Sequence, residues 1–284
     1  MGSGTSTGTL IYTGSGETTN RYISLGSNNN AGGGTIQTDG SGALVFTHNF
    51  ANNGTPTTAG TRLLTLQGSS TANNEIQGAI SDVDTGAGKL TGITKNQAGK
   101  WILSGASTYS GGTTINAGTL LVNNTTGSGT GAGDVSVTGG TLGGTGTIGG
   151  NVSVSSGAFL APGASVGTLS VGGNVQINGT LKIELDGTGA GSADKLAVTG
   201  GLDISNATVD FNELVAVDDA AYIFATYGSL NGTQFANVLN KPTGYDIVYN
   251  YNGNQIALVI PEPASLSLLG LGGLLMLVRR RREA

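Results

Sequence analysis

Short apolar–any–apolar units separated by glycine pairs run through the middle of the chain. They are seen at Val152/Val154, Leu169/Val171, Val175/Ile177 and Leu181/Ile183, the last three at intervals of six residues. In a strand, residues i and i+2 point to the same face, so each unit offers two side chains to an interior and then turns. A strand of three or four residues buries too little to stand alone. Stacked in register on further copies of itself, it builds a continuous core along one axis, which is the principle of a solenoid. The pattern therefore predicts parallel stacking from Trp101 to Leu185, with these eight residues facing inward. An antiparallel sandwich also uses short alternating strands and is the competing arrangement.

The flanking regions keep the β signature. "GTLIYTGSG", "RYISLGS", "ALVFTHNF", "RLLTLQGS" and "NEIQGAISDV" in residues 1–98 are β-branched or aromatic runs bounded by Gly, Asn, Asp and Ser, which is strand-and-turn punctuation. Residues 188–259 regain aromatics and read as longer strands with hairpin turns at Asn231-Gly232 and Asn252-Gly253, a hairpin-rich cap for the end of the stack. Helical periodicity is missing before residue 264.

Composition sharpens this picture. The chain has 284 residues, 52 of them Gly, with 10% charged and 37% hydrophobic residues. Asp134 is the only charged residue between Trp101 and Leu181. Stacking brings like residues together at about 4.8 Å, where Thr, Ser and Asn can share hydrogen bonds and like charges repel. The hydrophobic content and its regular placement argue against disorder. With no Cys and a single His, His48, thiolate and multi-His metal sites are excluded. The formal net charge is −5, and the arginines at 279–282 leave the rest of the chain more acidic still. An acidic body excludes a nucleic-acid partner, whose phosphates require a basic face.

"GKWILSGASTYSGGTTINAGTLLVNN" (99–124) resembles the autotransporter-associated β-strand repeat. The matching residues are Trp101, Leu103, Ser104, Gly105, Tyr109, Gly111, Gly112, Thr113, Thr114, Gly118, Thr119 and Leu120. The stretch 160–187 is similar to the segment that often follows it. The resemblance implies an all-β, right-handed parallel β-helix for residues 99–187, with 1–98 as degenerate upstream coils and 188–259 as the β cap.

The C-terminal end is of another kind. Pro261-Glu262-Pro263 gives a rigid, non-helical link. Ala264–Val278 carries no charge, and Arg279–Arg282 ends it. As a helix this run spans about 22 Å, short of a bilayer core of about 30 Å but within reach through arginine snorkelling and local thinning. Residues 260–284 resemble the PEP-CTERM sorting signal. The resemblance implies Pro261, Glu262 and Pro263 as the motif read by an exosortase. It also implies residues 264–278 as a transient transmembrane helix, and Arg279, Arg280, Arg281 and Arg282 as the cytoplasmic stop. The mature protein is then expected at the cell surface or in the extracellular matrix. No leader is visible in the first twenty residues, so export implies a start upstream of Met1.

Candidate chemistry is sparse. The carboxylates are Glu184, Asp186, Asp194, Asp203 and Asp210, with Lys182 and Lys195 nearby. Alternation puts Glu184 and Asp186 on one outward side, the best acidic pair for acid–base work. Solvated surface charge is the simpler account. No calcium loop occurs. His48 is expected on a strand surface, and Trp101 as a coil anchor rather than a sugar platform. The expectation is a non-enzymatic exported surface protein without metal or cofactor. An adhesin or glycan-binding module, with extracellular polysaccharide as partner, is the alternative. A polysaccharide lyase or hydrolase is a more distant one.

Overall fold

A computed structural model describes residues 7–25, 32–50, 59–82, 88–188 and 192–261. Among these residues all regular structure is β, arranged in a 10-stranded, an 11-stranded and a 6-stranded sheet. The chain passes from a strand of the first sheet, through a corner, to a strand of the second. From Thr147 onward it continues to the third sheet before returning to the first. Successive passes pair in parallel, so Val135, Val152 and Val175 lie directly above one another. Leu142 and Leu160 do the same, as do Leu160 and Leu181. The molecule is a β-solenoid.

The inward residues named by the alternation are buried: Val152, Val154, Leu169, Val171, Val175, Ile177, Leu181 and Ile183. Between Trp101 and Leu185 the strands stack in parallel on one another; among the described residues antiparallel pairing there is limited to single bridges at Ser107–Ser128 and Gly144–Gly163 and to the short Ser192–Ala193 against Leu185 and Asp186. The same stacking extends into the N-terminal region, where Gly8–Tyr12 pairs with Gly34–Thr38 and this in turn with Arg62–Gln67.

Corners are held by side chains that replace lost backbone partners. Asp134 Oδ1 accepts from the Asn151 backbone N–H at 3.1 Å, Asn151 Oδ1 from the Asn174 N–H at 2.8 Å, and Asn174 Oδ1 from the Gly201 N–H at 2.7 Å. Each coil thus caps the next, and a ladder of this kind explains why Asn recurs at turn positions. Asn74 and Asn124 do the same work inside the wall. Asn124 accepts from the Thr147 N–H and donates to the carbonyls of Thr126 and Gly127.

Lys95 is one of the buried polar residues, and it stands within an apolar row. Leu66, Lys95 and Ile115 occupy successive places in the same inward row of the first sheet. Lys95 is fully buried. Its Nζ turns to the corner and donates to the carbonyls of Asn96 and Gln97, each at 2.8 Å, and of Ala117 at 3.1 Å. An ammonium has three donors, and here each has an acceptor. The neighbouring Gly118 has φ +70, and an added Cβ would sit 2.6 Å from Lys95 Nζ and 2.3 Å from the Gln97 oxygen. Only glycine fits that corner.

The C-terminal end departs from parallel stacking on one side. Asp246–Tyr251 and Gln255–Val259 form an antiparallel hairpin whose second strand pairs with Ala221–Thr226. Asn252 and Gly253 turn it, with φ of 48° and 96°. Asn231-Gly232 is different. It joins Ser229–Asn231 of the first sheet to Asn237–Leu239 of the second, both paired in parallel with the preceding coil. The expected second hairpin is therefore a solenoid corner, because the positive φ that Gly232 supplies (89°) serves a corner as well as a hairpin. Buried Phe211, Phe224 and Phe235 fill the end, with ring centroids 5.3 and 6.2 Å apart. The expected helix at 264–278 lies outside the described residues. Among those described, no helix is long and apolar enough to cross a membrane.

Candidate functional site

The outward side of the second sheet carries a row of aligned residues. Glu75 stands beside Ile102, Ile102 beside Leu121, Leu121 beside Gly143, and Gly143 beside Ala161. Lys182 and Asp210 pair further along. Solenoid outer faces are usually polar, and this one has an apolar floor. It is flanked by Thr119 and Thr141, which are also in register. A groove of about 720 Å³ runs over it, lined among others by Lys100, Leu121, Ala161, Lys182, Glu184 and Asp210.

The charged end of the groove is organised by hydrogen bonds. Lys182 Nζ lies 4.6 Å from the centroid of the Phe159 ring, a cation–π contact that covers one ring face. Asn240 Nδ2 donates to Asp210 Oδ1 at 2.7 Å. Asp194 is buried, with 2% of its surface exposed. Its Oδ1 accepts from the Gly167 N–H and its Oδ2 from the Glu184 N–H, both at 3.0 Å, and its own N–H donates to the Glu184 carbonyl at 2.8 Å. Burial first, and the Glu184 charge as a lesser cause, push the Asp194 carboxyl up to about 7 against the pull of the two backbone donors.

Of the seven charged candidates, the structure gathers Lys182, Glu184, Asp194 and Asp210 along this groove. Glu184 and Asp186 do share the outward side of Thr180–Asp186, alternating with buried Ile183 and Leu185. Asp186 binds the N–H and hydroxyl of Thr188, which hold it below the usual carboxylate range. Asp203 lies on the first sheet, bonded to Ser205 and Asn231. Lys195 lies on the third sheet beside Thr168. Asp194 works as a clamp: each of its oxygens is committed to a backbone N–H that fixes the loop before Thr168–Val171 and the strand Thr180–Asp186. The groove offers an apolar, hydroxyl-edged contact strip more than an acid–base pair.

Trp101 is fully buried, its Nε1–H donating to the Gln67 carbonyl at 3.2 Å, so its ring is a core anchor. His48 is exposed, its ring 5.7 Å edge-on from Tyr22. Pro261 is exposed at the end of the described chain. Glu262, Pro263, Arg279, Arg280, Arg281 and Arg282 lie outside the described residues. Alternation alone does not mark Ile102 and Leu121 as floor residues. Their signal was the unbroken apolar run in "WIL" and "TLLV", where strict alternation would place a polar residue outward.

Comparison with known proteins matches one segment in the body of the chain and one at its C-terminal end. Residues 93–122 match the passenger-associated-transport-repeat. Residues 259–282 match the PEP-CTERM protein-sorting motif. Over 138 residues the chain is 38% identical to the adhesin BmaC autotransporter of Brucella suis biovar 1 (strain 1330). That segment is 47% of this chain and 4% of the adhesin, so the chain spans a small fraction of that relative's length. The chain thus carries a passenger-type repeat in its body and a sorting motif at its C-terminal end, the combination of an exported cell-surface protein.

Proposed function

We propose that this chain is a non-enzymatic exported surface protein whose right-handed parallel β-helix displays an adhesive face. In this reading residues 264–278 anchor it for a time in the membrane, and an exosortase-type enzyme that reads Pro261, Glu262 and Pro263 removes the tail. The mature body then resides at the cell surface or in the extracellular matrix. The observation that carries the reading is the junction itself: a passenger-type solenoid ends in a strand, and the sorting-motif match begins at the last residue of that strand, Val259.

Two further observations support it. The similar protein is named an adhesin, and the groove lined by Ile102, Leu121 and Ala161 is a contact strip suited to an extended ligand such as an extracellular polysaccharide. The commitment of both Asp194 oxygens to backbone donors weighs against catalysis there. Arg279–Arg282 fit retention on the cytoplasmic side, since each arginine costs about 2.5–3.5 kcal/mol at the centre of a bilayer.

The test is made in an exporting host that has a matching exosortase, with the chain fused behind a secretory leader. The Pro261→Ala/Glu262→Ala double variant is expected to insert and then accumulate uncut in the membrane. Changing the four arginines to Glu is expected to weaken retention or invert orientation. Release of the double-alanine protein at the wild-type rate would reduce the tail to a simple anchor and end the sorting reading.

A further inference from the structure

The sorting motif has almost no spacer between it and the folded body. Val259, where the motif match begins, is paired on one side with Ala221 and on the other with Asp246. Leu258 is likewise held between Tyr222 and Ile247, and Ile256, Ala257 and Leu258 are fully buried. The pairing does not stop at the strand end, because the Ile260 N–H donates to the Ala220 carbonyl at 3.1 Å. Pro261 is the first residue clear of these bonds. One extended residue reaches at most about 3.6 Å, so a bond within Pro261–Pro263 lies within about 14 Å of a doubly paired strand.

An enzyme that grips an extended substrate on both sides of the cut needs free backbone there. On the body side, that backbone is committed to the sheet. The hairpin that contains it is latched as well. Tyr249 Oη accepts from the Phe235 N–H at 3.0 Å, Tyr227 donates to Asn250 at 2.6 Å, and Tyr245 donates to the Asp219 carbonyl at 2.7 Å.

Resting on the sorting reading above, we propose that the folded cap regulates removal of the tail. The processing enzyme can engage only residues from Ile260 onward until Gln255–Val259 detaches from its two neighbours. Local opening of this last strand then sets the rate of cutting, and the mature chain ends at or beyond Ile260.

The experiment follows tail removal by pulse-chase in the exporting host and reads the mature C-terminus by mass spectrometry. A flexible Gly-Ser spacer of about ten residues placed between Ile260 and Pro261, with a reach of about 17 Å, is expected to speed cutting about tenfold. Ile256→Ala, which loosens the same strand, should also speed it. Ile115→Ala, equally buried but in a distant coil, should leave the rate unchanged. Equal rates for wild type and the spacer variant, or a mature C-terminus upstream of Ile260, would overturn the proposal. If cutting still requires Pro261 and Glu262 while ignoring the spacer, only the gating falls. If no form is cut, both the gating and the sorting reading fall.

Discussion

Replacing Lys95 by Met tests the strangest residue of the core. Methionine keeps the apolar stem and lacks only the terminal atom of the lysine, so the row between Leu66 and Ile115 stays filled. What is lost is the ammonium that satisfies the carbonyls of Asn96, Gln97 and Ala117. A buried acceptor left without a donor costs about 1–3 kcal/mol, and relief of a buried charge offsets part of that loss. The pH dependence separates the two effects. Burial lowers the Lys95 ammonium from 10.5 to about 8. Between these values the unfolded chain holds this proton and the folded chain does not, so stability rises with pH across that window. At about 1.4 kcal/mol for each pH unit, wild type gains about 3 kcal/mol from this residue between pH 8 and 10.5, and Lys95→Met gains none. Equilibrium urea unfolding at pH 7.5 and pH 10 reads the difference. The advantage of wild type over the variant should widen by that order. Parallel pH profiles for the two proteins would refute the reasoning and show that the three carbonyls hold the ammonium charged throughout.

Val175→Asp places a carboxylate in the inward row between Val152 and Leu202. The cost is several kcal/mol, roughly, and should appear as a lower unfolding midpoint and loss of β signal by circular dichroism. Asp194→Asn addresses the groove clamp. Because the folded carboxyl is raised to about 7 from 3.8, the folded state holds the proton that the unfolded state has lost between these values. Its contribution to stability therefore falls as pH rises from about 4 to about 7. The Asn variant should lack that slope in the same denaturation assay, and retention of the full slope would remove Asp194 as its source.

What the sequence determined by itself was the local geometry and its repetition. Val152/Val154 and Leu169/Val171 could face only one way, because strand side chains alternate and a short strand is stable only on its copies. The tail was legible because fifteen uncharged residues between two prolines and four arginines admit few uses. The tertiary structure decided what depends on alignment between distant coils. Ile102, Leu121, Gly143 and Ala161 form one floor because the corners between them set how far the chain travels before it returns to the second sheet. The same logic turned Asn231-Gly232 into a corner, since its dihedral preference is satisfied equally by a hairpin. The burial of Lys95 could not be read from the sequence, because it depends on three carbonyls from two successive corners that converge where its Nζ can reach them. Asp194 was one of the five candidate carboxylates read from the sequence. It became a clamp only when the fold brought the backbone N–H groups of Gly167 and Glu184 to its two oxygens.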